Sequence, residues 1–279
     1  MAEGRRSIII SVFSTGAGNG KTLTAINLAA SLAADGYDVC LVDLDLQFGD
    51  VSSYLQLEPQ RTITDAQLAL ERGKEFEIMD YLTKFSKTDL KGNALEFFVL
   101  SRPQMIFDAY SVSIPIVENI INSLKWFNYV IVDLSAAFNA MNLAVLDSST
   151  IINYIGVVDY LPSVKNFKIG YDTLLRFEYE ESKIRLVENR YNAEKLISGR
   201  DVERLLGAEF FHRLPNDFEA TAAAIKAGEP LLVAAPNSPL TASYKELAAK
   251  YSGKPKAEEK TVVTQSKGFI SKIFSKFFG

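Results

Sequence analysis

Residues 13–23 read "FSTGAGNGKTL". Phe13 closes the apolar run "SIIISVF" (7–13), and Leu23 opens "LTAINLAASLAADG" (23–36), whose apolar residues recur at three- and four-residue spacing up to a C-capping Gly36. The pattern is strand, glycine-rich turn, helix. In that context the backbone N–H groups of the turn converge on an anion and the helix N-terminus adds its dipole. Lys21 places a cation against β- and γ-phosphates, and Thr22 a hydroxyl on Mg²⁺. The leading glycine of such loops would stand at Thr15, so the match is incomplete. A plain strand–helix turn is the competing reading of the loop taken alone.

The next strands bring acids to the same end. "DVCLVD" (38–43) runs into "VDLDLQFGD", which puts Asp43 and Asp45 at its C-terminal edge, and "NYVIVDL" (128–134) carries Asp133 in the same place. Three carboxylates at strand ends around one Gly-Lys-Thr loop make a site for Mg²⁺ and an attacking water. Strand termination or helix capping is the alternative use of these aspartates. Further β-rich runs lie at 96–100, 150–158 and 183–190. None shows polar alternation, as expected of parallel strands covered on both faces. Their alternation with helical segments predicts an α/β fold, a doubly wound and mostly parallel sheet flanked by helices.

Cys40, the sole cysteine, sits in the apolar run "VCLV", reads as a core thiol and excludes a disulfide within the chain. His212 is the only histidine, which excludes multi-histidine metal sites. Neither a signal-peptide pattern nor an apolar run of membrane-spanning length is found, so a cytoplasmic location is expected. The 12 tyrosines are dispersed, and Trp126 reads as packing. Net charge is −4, which gives no indication of nucleic-acid binding. Residues 252–279 nevertheless hold six Lys against Glu258 and Glu259, so the end of the chain is basic and its body acidic. We divide the chain into a nucleotide-binding domain (1–250), a polar tether (251–267) and a tail (268–279).

On these residues the chain resembles the MinD/ParA ATPases with a deviant phosphate loop, over roughly residues 7–250. The family pattern Lys-Gly-Gly-x-Gly-Lys-Thr falls without a gap on Gly16, Ala17, Gly18, Asn19, Gly20, Lys21 and Thr22, with Leu23 next. The resemblance implies ATP and Mg²⁺ as ligands, Lys21 and Asp45 as catalytic groups with Asp45 positioning water, and Thr22, Asp43 and Asp133 at the metal. "ENRYN" (188–192) resembles the family's adenine loop, implying Asn189 and Arg190 at the base, and "LPND" (214–217) the segment closing over it, implying Pro215. "DLDLQFGDVSSYLQL", "VENRYN" and "LPNDFEATAAAIKAGEPLL" are most similar to the CpaE/TadZ members that serve Tad pilus assembly. The resemblance implies a homodimer formed on ATP binding and protein partners in pilus, secretion or positioning systems. A division or flagellar positioning role is the alternative within the same fold.

One departure bears on catalysis. The family's cross-dimer lysine falls at Gly16, so slow or partner-dependent hydrolysis is expected, and a non-hydrolysing ATP-locked scaffold is the competing reading. Arg102, in "LSRP", reads either as a substitute cation or as a solvated loop residue.

The tail "GFISKIFSKFFG" sorts by helical angle. Phe269, Ile270, Ile273, Phe274, Phe277 and Phe278 fall on one half of the wheel, and Ser271, Lys272, Ser275 and Lys276 on the other. Twelve residues cannot span a bilayer. They can lie in its interface, with Lys272 and Lys276 toward anionic headgroups, which predicts a peripheral association with the inner face of the membrane. A helix docked on the protein's own core is the alternative.

Overall fold

A computed structural model describes residues 7–73, 75–88, 92–192 and 197–253. β1 (Ile8–Phe13) pairs in parallel with β5 (Tyr129–Leu134) on one side and β6 (Ile151–Val157) on the other. Beyond β5 lie β2 (Val39–Leu44) and β4 (Ala94–Leu100), and beyond β6 lie β7 (Ile184–Tyr191) and β8 (His212–Pro215), all parallel. β3 (Thr83–Thr88) closes one edge antiparallel to β4, giving the order β3-β4-β2-β5-β1-β6-β7-β8. Growth of the sheet in both directions from β1 leaves a crevice at its C-terminal end, where α/β sheets bind ligands.

The alternation of side chains along β1 feeds two cores. Ile10 and Val12 pack under α1 (Lys21–Ala34), α2 (Val51–Tyr54), α8 (Phe218–Ala227), α9 (Leu231–Ala234) and α10 (Pro239–Ser252). Ile9 and Phe13 face the other layer, built from α3 (Ile63–Glu71), α4 (Ile114–Ser123), α5 (Ala140–Ser148), α6 (Leu161–Arg176) and α7 (Gly199–Leu206). Both faces of the central strands are therefore covered, which is why their sequences carry no polar alternation.

The expected strands are present with ends shifted by a residue or two. Two others escaped the pattern. β3, "TKFSKT", buries only Phe85 along an otherwise exposed edge, and β8, "HRLP", is four residues long and ends on a proline. α1 stops at Ala34 with Asp35 as its cap, and Gly36 follows in the left-handed conformation at φ +88°. Cys40 is buried, as expected, and burial pushes its thiol pKa up. Trp126 is 54% exposed with its ring stacked on Phe127, so it packs on the surface rather than within the core. α10 runs to Ser252, two residues past the expected boundary. The tether beyond Gly253 and the whole tail, Phe269 to Phe278 with Lys272 and Lys276, lie outside the described residues. Among the described residues no helix is long and apolar enough to cross a membrane.

Candidate functional site

The chain must turn from β1 into α1 within seven residues, and Gly18 (φ +73°) and Gly20 (φ +88°) supply the left-handed conformations this needs. Ser14 organises the first half of the loop. Its hydroxyl donates to the Gly16 carbonyl at 2.8 Å and accepts from the Gly16 N–H at 3.2 Å and from Asn19 Nδ2 at 3.3 Å. Thr15 replaces the leading glycine for a visible reason. Its Oγ1 lies 3.1 Å from Tyr154 Oη and donates to the Asn166 carbonyl at 3.1 Å, fastening the loop to β6 and α6. Gly170 makes room: a Cβ there would stand 2.0 Å from Tyr154 Oη and 2.4 Å from Thr15 Cγ2.

Gly20 is also the N-cap of α1, with no side chain capping the helix and no acidic residue in its first turn. The first intrahelical bond described runs from the Thr24 N–H to the Gly20 carbonyl, at 2.9 Å. The N–H groups of Lys21, Thr22 and Leu23 precede it and lack intrahelical partners, which suits an anion. Lys21 is buried beside them.

Asp133 and Asp43 stand directly opposite in the register of β5 and β2, and both are buried. Burial pushes both carboxyl pKa values up. Asp43 is raised further by the charge of Asp133, whereas the Thr22 hydrogen bond and the Lys21 ammonium restrain the rise at Asp133. Two carboxylates held at such a cost call for a compensating cation.

Thr22 Oγ1 donates to Asp133 Oδ2 at 2.6 Å, while Asp133 Oδ1 is buried without a hydrogen-bond partner among the described residues. An orphaned carboxylate oxygen beside a hydroxyl is a fitting donor set for Mg²⁺. Among the described residues no three His, Cys, Asp or Glu side chains converge on a metal. Thr22 and Asp133 would thus hold Mg²⁺ with phosphate and water completing its shell. The oxygens of Asp43 accept from the N–H groups of Asp45, at 3.2 Å, and Val51, at 3.3 Å. Asp43 anchors the loop that carries Asp45, and each oxygen keeps a lone pair for a metal-bound water.

On the opposite side of the phosphate loop, Asn189 Nδ2 donates to the Asn19 carbonyl at 2.8 Å and Arg190 Nη2 to the Gly18 carbonyl at 3.1 Å. Arg190 adopts φ +53° at an irregularity in the pairing of β7 with β8. Both residues line a cleft of about 780 Å³ together with Gly20, Leu23, Pro215 and Phe218. The volume suits a base and ribose. The fold thus gathers the expected residues into two clusters: Lys21, Thr22, Asp43, Asp45 and Asp133 around the buried carboxylates, and Leu23, Asn189, Arg190 and Pro215 around the cleft. Gly16, Ala17, Gly18, Asn19 and Gly20 form the span between them.

Sequence reasoning missed Ser14, Thr15, Tyr154 and Phe218. Only Ser14 and Thr15 carried a signal, as hydroxyls beside a glycine turn. Arg102 is not a solvated loop residue: its guanidinium bonds to the Gly49 and Pro103 carbonyls, and its charge restrains the pKa rise of Asp43.

The family described as CobQ/CobB/MinD/ParA nucleotide binding domain matches residues 10–231. The septum site-determining protein MinD of Thermotoga maritima is 25% identical over 272 residues, covering 95% of each chain. Among solved structures, a ParA family ATPase from Chlorobium tepidum superposes with a TM-score of 0.75 at 21% identity, covering 88% of this chain and 98% of that one. MinD from Pyrococcus horikoshii complexed with Mg-ADP superposes at 0.72 with 18% identity, covering 88% and 96%.

Proposed function

The chain belongs to the CobQ/CobB/MinD/ParA nucleotide-binding domain family, and from that premise we propose that it binds Mg·ATP and hydrolyses it slowly. On this reading ATP drives a homodimer, which joins the inner membrane surface through residues 268–279. The observation that carries the reading is Thr22 bonded to Asp133, with one Asp133 oxygen unmatched and Lys21 buried alongside. Lys21 balances the β- and γ-phosphate charge, and the unpaired N–H groups of α1 hold the phosphate oxygens. Asp45, partly exposed at the end of β2, orients the attacking water. Mg²⁺, when bound, neutralises charge on the transferring phosphoryl group. Asn189, Arg190 and Pro215 receive the base. Likeness to CpaE/TadZ segments supports service in pilus or secretion-system assembly or placement. The bare Gly16 favours a second reading, an ATP-locked scaffold with negligible turnover.

Dimerisation has its own support. Phe48, Met105, Phe107, Tyr110, Tyr160 and Phe218 are each at least 66% exposed. They follow the C-terminal ends of β2, β4, β6 and β8, so an apolar rim surrounds the nucleotide face. A rim of this kind suits a partner surface. Phe107→Glu should keep the protein monomeric with a non-hydrolysable ATP analogue, as read by light scattering, while the wild type doubles its mass. A variant that still doubles its mass would remove Phe107 from the interface.

Membrane attachment is tested by removing 268–279. Fully burying six large apolar side chains is nominally worth about 10 kcal/mol. Partial insertion and ordering consume most of it, so one tail binds weakly and two bind well through effective concentration. Truncation, or Phe274→Glu, should abolish sedimentation with anionic vesicles and leave the melting temperature unchanged. A fall of several degrees on truncation would support a tail docked on the core. Steady-state ATPase measured with and without those vesicles tests the whole proposal, because a scaffold shows no turnover in either case.

A further inference from the structure

Residues 45–50 form a short loop between β2 and α2. It is pinned at both ends by Asp43, as described, and closed by the Gly49 N–H donating to the Asp45 carbonyl at 2.7 Å. Gly49 packs flat on the Asp43 carboxylate: a Cβ there would lie 2.1 Å from Asp43 Oδ1. The outer side of this loop is held from β4. Arg102 Nε donates to the Gly49 carbonyl at 2.7 Å and Nη1 to the Pro103 carbonyl at 2.6 Å, while Ser101 and Ser52 hydroxyls meet at 2.8 Å. The guanidinium thus bridges two segments brought together only by the pairing of β2 with β4.

We propose that Arg102 is a positioning residue that latches the Asp45 loop to the end of β4, and that it acts on hydrolysis through Asp45 rather than by touching nucleotide. The planar fork suits the task, because two carbonyls in different segments fix its plane, which a lysine ammonium cannot reproduce. Asp45 itself makes few bonds within the loop: its Oδ1 accepts from the Phe48 N–H at 3.4 Å. Its placement therefore depends on the backbone that Gly49 anchors. Misplacement of such a group by about 1 Å costs on the order of 10²-fold in rate.

This inference rests on Asp45 acting in hydrolysis, and the test separates the two. In the full chain with Mg·ATP, Arg102→Ala should lower kcat about 10- to 100-fold and leave KM and the affinity for a fluorescent ATP analogue unchanged. Arg102→Lys should stay near Arg102→Ala, since it restores the charge and not the bridge. Placed in an Asp45→Ala background, Arg102→Ala should cost nothing further. Hydrogen exchange provides a readout independent of turnover: the amides of Gly49 and Val51 should exchange at least tenfold faster in Arg102→Ala. A wild type without turnover would end the hydrolysis reading, and exchange alone would then decide the latch. Unchanged exchange, full rescue by lysine, weakened nucleotide binding, or an additive double variant would each overturn it.

Discussion

Titration of Lys21→Ala with Mg·ATP should show binding weakened by about 30-fold or more, under conditions where the wild type saturates. Lys21 is buried at the start of α1, and its ammonium restrains the pKa rise of Asp133. Removing it leaves the phosphates without their cation and the buried Asp133 carboxylate without its counter-charge. Truncating one partner of a buried charged pair costs about 2–5 kcal/mol, about 30- to 5000-fold in Kd. The fold should survive, because the two cores are built from other residues, and circular dichroism checks this. Equal affinity in wild type and variant would refute the loop as the phosphate site.

Gly16→Lys should raise turnover, in the ATP-bound dimer, by a factor within the roughly 10³–10⁵ that a trans-acting cation contributes to phosphoryl transfer. The position accepts the change. Gly16 lies outside the left-handed region, so a side chain meets no backbone strain. The nearest atom to a new Cβ is Asn19 Nδ2, 2.8 Å away at the free end of a side chain that can swing aside. The bond lost is the 3.3 Å contact from Asn19 to Ser14, worth about 1 kcal/mol. Adding Asp45→Ala to this variant should return the rate to background while sparing ATP binding, because the water loses its orienting carboxylate. A wild-type rate that Gly16→Lys leaves unchanged would show that the missing cation is not what limits hydrolysis.

Much of the site was legible in the sequence because its parts are local. The strand, the glycine turn and Gly-Lys-Thr are contiguous, and aspartates at the ends of apolar runs mark one edge of a parallel sheet wherever the runs pair. The α/β class followed from uninterrupted apolar strands, since only coverage of both faces permits them. β3 and β8 were not legible: an edge strand with one buried phenylalanine has no pattern apart from the neighbour that completes it.

The tertiary structure alone decided how these parts meet. Thr15 in place of glycine looked like a defect until Tyr154, 139 residues away, came within 3.1 Å of it. Arg102 reads in sequence as a substitute cation or a solvated loop residue, and only the pairing of β4 with β2 brings Gly49 to its Nε. Asp43 and Asp133 read alike in sequence, yet one accepts the backbone of its own loop and the other takes Thr22 and keeps an oxygen unmatched. Sequence spacing governs what is adjacent along a strand or helix. Hydrogen-bond partners and burial depend on strand order, which is settled by the whole sheet.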